Sequence, residues 1–168
     1  FEAANDILSL AKAEFYRKHN VPEDVRDWRY EWAQKDVLDS GPNRDLVEPI
    51  YYRLFDKRYI YYTGNARGFV GWPTTRVMHH FTEGRNAGIC FNRTIEGGRS
   101  FADIFAVDGM IQHHTTSIKE VNYLAPLYLY PDESADQADA LAPTERTPNL
   151  DPKLYAKICK AAGIDPAD

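Results

Sequence analysis

The 168-residue sequence predicts an α+β fold, with a mostly antiparallel β-sheet, two N-terminal helices and short flanking helices. Apolar residues recur with helical periodicity through the first forty positions, and a cluster of helix-breaking residues follows at 39–43. From Leu46 onward, short aromatic and β-branched runs replace that periodicity. The length suits one domain with its own core.

Two amphipathic helices are predicted before the sheet, over residues 5–19 and 22–38. Asn20 suits the left-handed position that ends the first helix. The apolar positions with three- and four-residue spacing are Ile7, Leu8, Ala11, Phe15, Val25, Trp28 and Trp32. Both helices should therefore bury one face.

The predicted strands cover residues 50–53, 58–62, 68–72, 88–92, 101–107 and 123–130. The second and third strands would form an aromatic hairpin that turns at Gly64 and Asn65. A short helix is predicted to begin at Thr74 or Thr75 and to end at Gly84.

The later segments are less regular. Paired glycines predict a flexible connection over 96–99. Residues 132–147 are rich in Asp, Ala and Pro, which predicts an exposed linker. A small final helix is predicted over 148–163. The chain starts at Phe1 rather than at methionine, so we expect it to be part of a longer protein.

The net charge of −5 by itself disfavours a nucleic-acid partner, but the charge is unevenly distributed. Residues 1–50 carry 7 basic and 11 acidic side chains, residues 51–120 carry 9 and 6, and residues 121–168 carry 4 and 8. The central segment therefore predicts a surface for a polyanion. Its candidate cations are Arg53, Lys57, Arg58, Arg67, Arg76, Arg85, Arg93 and Arg99. Alternatively, these arginines solubilise a sheet and stack on its tyrosines.

Two histidine pairs, at 79–80 and 113–114, offer metal ligands, with Asp103 or Asp108 as an oxygen ligand. Adjacent side chains point to different faces and no zinc-site spacing accompanies them, so we expect no metal site. Residues 113–117 form a polar run, which suits either base-edge recognition or an ordinary polar turn.

Sites for nucleophilic or nucleotide chemistry are not indicated, since the sequence lacks nucleophile-elbow, phosphate-loop and dinucleotide motifs. Cys90 lies in an apolar strand, where a thiol is usually unreactive. It is far from Cys159, so we predict no disulfide framework and a cytoplasmic location. No long apolar run or leader indicates a membrane segment.

Four segments have a distinctive pattern, in order along the chain. They are 52–62 (YRLFDKRYIYY), 76–80 (RVMHH), 101–108 (FADIFAVD) and 126–132 (PLYLYPD). Together they resemble the C-terminal specificity domain of type ISP restriction-modification enzymes and adenine-specific DNA methyltransferases, over residues 22–135. The family pattern usually has proline where this chain has Leu54.

The resemblance implies a parent protein, single-chain and bacterial, that also contains a nuclease, a helicase-like translocase and an adenine-N6 methyltransferase. This fragment would be non-catalytic and would recognise double-stranded DNA, positioning the site for base flipping and methylation by the parent's methyltransferase domain. S-adenosylmethionine is the cofactor expected in that domain, and none is expected in the fragment. The chain then divides into an N-terminal lead-in helix at 1–21, a DNA target recognition domain at 22–135, and a linker with a C-terminal helix at 136–168.

We predict two sets of DNA contacts on this basis. The residues predicted to contact the DNA backbone are Arg53, Lys57, Arg58, Arg67 and Arg76. The residues predicted to contact base edges are Arg93, Arg99, His113, His114 and Thr115.

Two other functions stay open. A metal-dependent nuclease unit would use His79 or His113 with Asp103 or Asp108, and a bound ion would favour it. A protein-docking module of a larger DNA-processing enzyme would present its aromatic sheet to another domain, and an exposed apolar patch away from the arginines would favour it.

Overall fold

The computed structural model describes residues 1–21, 23–25, 27–98, 100, 103–117, 119–131 and 145–165. The helices are α1 (Glu2–Ser9), α2 (Lys12–His19), α3 (Tyr30–Ser40), α4 (Thr75–Met78) and α5 (Pro152–Ala162). The strands are β1 (Val47–Arg53), β2 (Asp56–Tyr61), β3 (Gly88–Asn92), β4 (Ile104–Val107), β5 (Met110–Ile111), β6 (Asn122–Pro126), β7 (Tyr128–Leu129) and β8 (Thr147–Pro148). The predicted α+β class is confirmed.

The prediction of one helix over 5–19 is wrong, because the chain becomes extended at Leu10 and Ala11, between α1 and α2. Tyr30 explains the break. Its hydroxyl lies 3.0 Å from the backbone carbonyl oxygens of both Ile7 and Leu10. These carbonyls have no partner within α1, so a donor from α3 lets the helix end there.

The second helix begins later than predicted, at Tyr30 rather than at the start of 22–38. The Asp24 carboxylate accepts hydrogen bonds from the backbone N–H of Tyr30 at 2.9 Å and the hydroxyl of Tyr16 at 2.6 Å. Asp24 therefore caps α3 from outside instead of forming its first turn. The predicted left-handed end of α2 is confirmed, with φ 49° and ψ 42° at Asn20.

The N-terminal helices share a hydrophobic core with β2. Its buried side chains are Ala4, Ile7, Phe15, Tyr30, Ala33, Val37 and Tyr61. The Phe15 and Tyr30 rings meet edge to face at 5.5 Å between centroids, a favourable geometry for aromatic rings. This core holds α3 beside the end of β2.

The first sheet has the strand order β2-β1-β5, with β1 antiparallel to β2 and parallel to β5. The β1–β2 hairpin closes at Leu54 and Phe55. The predicted hairpin with a turn at 64–65 is therefore wrong, and residues 68–72 form no strand. Residues 63–73 instead form a loop that packs on α3.

The second sheet has the order β4-β3-β6 and is antiparallel throughout. The strand predicted at 88–92 is confirmed. The strand predicted at 101–107 begins only at Ile104, because Asp103 is not part of it; residues 101 and 102 lie outside the described part. The one predicted at 123–130 divides at Leu127, whose backbone N–H donates to the carbonyl of Ala87 at 2.8 Å.

The short helix predicted before the second sheet is confirmed as α4 and a following 3-10 turn, His79–Gly84. The glycine connection is confirmed in part, with φ 75° at Gly97 and 67° at Gly98, whereas Arg99 lies outside the described residues. The predicted linker at 132–147 is described only from residue 145 onward, where β8 pairs with β7.

The C-terminal helix α5 is shorter than the predicted 148–163. It begins after Asp151, whose carboxylate accepts hydrogen bonds from the backbone N–H groups of Lys153 at 2.8 Å and Leu154 at 2.9 Å. It ends at Gly163, which has φ 69°. No helix among the described residues is long and apolar enough to cross a membrane.

Candidate nucleic-acid interface

Three of the predicted backbone contacts lie on the β1–β2 hairpin, each stacked on one of two tyrosine rings. The guanidinium groups of Arg53 and Arg58 lie 4.3 and 3.8 Å from the centroid of the Tyr52 ring. The Lys57 ammonium lies 4.7 Å from the centroid of the Tyr51 ring. We call Arg53, Arg58 and Tyr52 the hairpin face, because Lys57 and Tyr51 are cross-strand partners on the opposite side of the hairpin. Stacking on aromatic rings holds the cations in place at the surface.

Two of these cations are already paired with carboxylates. Lys57 Nζ lies 2.8 Å from Asp108, and Arg58 donates to Asp56 at 2.8 and 3.1 Å. Hydrogen bonds from Lys57 and Tyr51 lower the pKa of Asp108, and a hydrogen bond from Arg58 lowers the pKa of Asp56. Both acids are therefore charged near neutral pH, and a phosphate must compete with them.

The predicted polar loop lies against the end of this hairpin. The backbone N–H of Gln112 donates to the carbonyl of Tyr51 at 2.9 Å, and Arg53 donates to the side-chain oxygen of Gln112 at 3.2 Å. The Gln112 amide nitrogen lies 2.9 Å from Nδ1 of His113. The hairpin face and His113 therefore belong to one surface.

Thr115 does not suit the base contact predicted for it. It is 2% exposed, and its hydroxyl lies 2.8 and 2.6 Å from two backbone carbonyl oxygens. His114 is half-buried, with Nδ1 3.1 Å from the carbonyl oxygen of Glu120. These two side chains hold the loop in shape, whereas His113 is exposed.

His113 is a neutral hydrogen-bonding group. Burial, then the neighbouring His114 and Arg53, lower its pKa. A neutral imidazole has one nitrogen that donates and one that accepts. Because Nδ1 accepts a hydrogen bond from the Gln112 amide, Nε2 carries the proton of the neutral ring and can donate to an acceptor on a base edge.

Arg67 is placed by residues 63–73, which we call the anchored loop because Asp36 of α3 fixes it. Asp36 is 4% exposed, and its carboxylate accepts three hydrogen bonds from the loop. The donors are the Thr63 hydroxyl (2.7 Å), the Asn65 amide (2.6 Å) and the Phe69 backbone N–H (2.7 Å). A Cβ atom at Gly68 would collide with the same carboxylate, so the loop requires glycine there.

The other predicted contacts belong to different elements. Arg67 is exposed, with its guanidinium 5.1 Å from the centroid of the Trp32 ring. Arg93 is exposed at the end of β3, 5.2 Å from the centroid of the Tyr123 ring. Arg76 is exposed on α4. The structure therefore brings only some of the predicted DNA-contacting residues together on one surface.

Sequence reasoning placed Trp72 in a strand and so missed its exposed position. Trp72 lies at the end of the anchored loop, is 56% exposed and has φ 47°. The sequence did contain a signal against a strand at this position, because the following Pro73 has no N–H to donate to a sheet. Asp36 also had a signal, since it lies four residues after Trp32 and therefore on the predicted apolar face of the second helix.

An apolar pocket of about 520 Å³ opens beside Trp72. It lies between the two sheets, where the edge strands β5 and β6 supply Met110 and Leu124 to its wall. Trp72, which is 56% exposed, and the buried Tyr62 are aromatic residues of its lining, and His113 also lines it.

The described residues contain no group of three or more His, Cys, Asp or Glu side chains that could hold a metal ion. The acids proposed for the nuclease alternative have other partners. The Asn92 amide donates to Asp103 at 3.2 Å, and Asp108 is paired with Lys57. Nδ1 of His79 lies 2.8 Å from a backbone carbonyl oxygen of α4.

The outer face of the second sheet is apolar. Its cross-strand neighbours are Ile104, Phe91 and Tyr123 in one row and Ala106, Ile89 and Ala125 in the next. Ile89 and Ile104 are 45% and 51% exposed. An exposed apolar sheet face of this kind is typical of a protein contact.

A family model described as the type ISP C-terminal specificity domain matches residues 2–168. This match confirms the resemblance drawn from the four sequence segments and extends it over nearly the whole chain. No curated protein and no solved structure matches the chain. The protein therefore belongs to the type ISP C-terminal specificity domain family, whose role in restriction-modification enzymes is DNA target recognition.

Proposed function

We propose that this chain recognises double-stranded DNA and positions the target site for base flipping and adenine-N6 methylation by the rest of a bacterial parent protein. The family match over residues 2–168 is the observation that supports this most directly. In this proposal the fragment is non-catalytic, and S-adenosylmethionine binds in the parent's methyltransferase domain. The division at 1–21, 22–135 and 136–168 stays a prediction.

The hairpin face is the proposed contact with the DNA backbone. Arg53 and Arg58 stack on the same ring there, that of Tyr52, and Lys57 stacks on Tyr51 on the opposite side of the hairpin. This stacking reduces the conformational entropy that the cations lose on binding. Each phosphate contact by Lys57 or Arg58 must displace a carboxylate. We therefore expect weak binding by the isolated chain, on the order of micromolar or poorer, with strong salt dependence.

The polar loop is the proposed contact with base edges. His113 is exposed there and is linked through Gln112 to Arg53 of the hairpin face, so phosphate and base contacts would share one surface. Thr115 and His114 support the loop rather than contact DNA. The roles of Arg93 and Arg99 in base contact, and of Arg67 and Arg76 in backbone contact, stay predictions.

Fluorescence anisotropy with a labelled duplex at several salt concentrations tests the backbone contact. We expect Arg58→Ala to weaken binding and to reduce the slope of log affinity against log salt by about 0.9, the value for one phosphate contact. Lys35→Ala is the matched control, since Lys35 is also an ion-paired surface cation but lies on α3. If both variants bind like the wild type, the hairpin face does not contact DNA.

Exchange of residues 22–135 for the matching segment of a relative tests target recognition in the parent protein. Methylated sites would be mapped by long-read sequencing in cells that express the parent or the exchanged form. A changed methylated motif is expected if this segment recognises the sequence. An unchanged motif with methylation intact would locate specificity elsewhere in the parent.

A second role is favoured by the apolar outer face of the second sheet. We propose that this face packs against the parent's methyltransferase domain. Ile104→Glu should leave DNA binding by the isolated chain intact but reduce methylation by the full parent, because a charge would be buried in the interface. Leu38→Glu, at a 63% exposed position of α3, is the control. Full methylation by the Ile104 variant would exclude this contact.

A further inference from the structure

We infer that the pocket beside Trp72 accepts a single unpaired nucleobase of the bound DNA, an inference that rests on the proposed DNA recognition. Its volume of about 520 Å³ lies within the range of sites that enclose a small molecule. Its wall is supplied by β5, β6 and α4, through Met110, Leu124 and Val77. The site is thus built from regular elements together with the anchored loop.

The lining suits a flat, uncharged ligand. Trp72 is an exposed aromatic residue of the lining and Tyr62 a buried one, and Met78 and Met110 provide polarisable sulfur atoms that contact rings favourably. None of the described lining residues is an Asp, Glu, Lys or Arg, and His113 is neutral. A nucleobase is held in such sites by stacking on aromatic side chains.

The surroundings of the pocket are positively charged, unlike its interior. Arg53 donates a hydrogen bond to the lining residue Gln112, and Arg93 lies over the ring of Tyr123. Arg76 is exposed and precedes a lining residue of α4. A nucleobase matches this arrangement, because it is uncharged and fits the apolar interior while its phosphates can contact the surrounding arginines. An apolar side chain of a protein partner would give the arginines nothing to bind.

The pocket also offers a few polar groups for the edge of a base. The Gln112 side chain and the His113 imidazole both line it, and both also belong to the proposed base-contacting surface. A base leaving the duplex at the hairpin face would therefore meet the pocket without a large movement of the protein. Stacking in the pocket would offset part of the cost of unstacking the base from DNA.

Three short labelled duplexes test the inference by fluorescence anisotropy. One is fully paired, one carries a single-adenine bulge, and one carries the same bulge as an abasic sugar. We expect the adenine bulge to bind at least about fivefold more tightly than the abasic bulge, which corresponds to the lower end of base stacking on an aromatic ring. Both bulges add one unpaired sugar and phosphate at the same place, so the two duplexes differ only in the presence of the base.

Two variants then locate the base. Trp72→Ala removes an exposed ring, and Tyr62→Leu keeps a large apolar side chain in the lining without the ring. Each should bring the ratio of the two affinities close to one. Tyr59→Ala is the control, because Tyr59 is an exposed aromatic residue, 76% exposed on β2, that does not line the pocket. It should leave the ratio unchanged.

The outcomes separate this inference from the proposed function. Equal binding of adenine and abasic bulges, with clear binding of the paired duplex, would overturn the pocket inference alone and favour a protein occupant. Survival of the adenine preference in both pocket variants would also overturn it, because the base would then bind elsewhere. Failure to bind any of the three duplexes would overturn both proposals.

Discussion

Removal of the Asp36 carboxylate should release the anchored loop and destabilise the whole chain. In Asp36→Ala, the donors of Thr63, Asn65 and Phe69 lose their shared acceptor. Hydrogen bonds to a charged group contribute about 1.5 to 3 kcal/mol each, but the partly exposed donors of Thr63 and Asn65 regain water. We therefore expect a loss of about 3 to 5 kcal/mol in the free energy of unfolding, a large share of a typical total.

Asp36→Asn should cost less. Thr63 and Phe69 both donate to the same carboxylate oxygen, so an amide oxygen at that position keeps two of the three bonds. The new amide nitrogen would face Asn65, whose own amide can turn to accept. We expect a loss of about 1 to 2 kcal/mol. Asp39→Ala, at an exposed acid of the same helix, should change stability by less than about 0.5 kcal/mol.

Urea unfolding followed by tryptophan fluorescence measures these differences, and hydrogen exchange at the Phe69 amide reports on the loop itself. The expected order of destabilisation is Asp36→Ala, then Asp36→Asn, then Asp39→Ala. A loss below about 1 kcal/mol for Asp36→Ala, with the Phe69 amide still protected, would refute the role assigned to this carboxylate.

Three further predictions concern packing, charge and reactivity. Gly68→Ala should lower the urea midpoint of unfolding, because the new Cβ atom would collide with the Asp36 carboxylate. Gly109→Ala is the control and should leave the midpoint unchanged, since a Cβ atom there makes only ordinary van der Waals contacts. Equal midpoints for the two variants would contradict the collision. Asp108→Asn should tighten DNA binding and steepen its salt dependence, since it frees Lys57 for phosphate. The same variant should lose less stability than the wild type as the solution becomes acidic. The reason is that the pKa of Asp108 is lowered in the folded chain, so its stabilisation is complete above the unfolded pKa of about 4 and is lost as pH falls through the lower folded pKa. Unchanged affinity, or an unchanged acid limb in urea titrations, would argue against that pairing. Cys90 should resist iodoacetamide at about pH 8 until the chain unfolds, because burial raises its pKa to about 11; rapid labelling of the native protein, read by mass spectrometry, would show that the thiol is accessible.

Much of the fold was predictable because it depends on neighbouring residues. The left-handed end of α2 at Asn20 and the paired-glycine turn follow from local backbone preferences, and the β3 strand follows from a short apolar run. The family resemblance was also predictable, because four ordered segments lie in the sequence itself. A concentration of basic residues around the hairpin likewise needed no structure.

The candidate site was only partly predictable. The sequence indicated both Arg53 and His113, but only the fold shows that Gln112 connects them. The sequence pattern assigned Thr115 to base contact, although its hydroxyl lies within hydrogen-bonding distance of two backbone carbonyl oxygens of the protein itself. A residue's type reveals which bonds it can make, and only its surroundings decide which bonds remain for a ligand.

The sequence by itself determined the α+β class, the approximate positions of several elements such as β1, β3 and α4, and the family of this protein. Tertiary structure decided where helices ended and which polar groups were used. The Tyr30 hydroxyl of α3 bonds the last carbonyls of α1, and the Asp36 carboxylate holds residues 63–73 as a loop where a strand was predicted. Asp108 forms an ion pair with Lys57, which lies in a distant segment. Each of these interactions joins residues far apart in the chain, so no local pattern records them. They arise only when burial brings a charged or polar group to a partner that can compensate for its lost water.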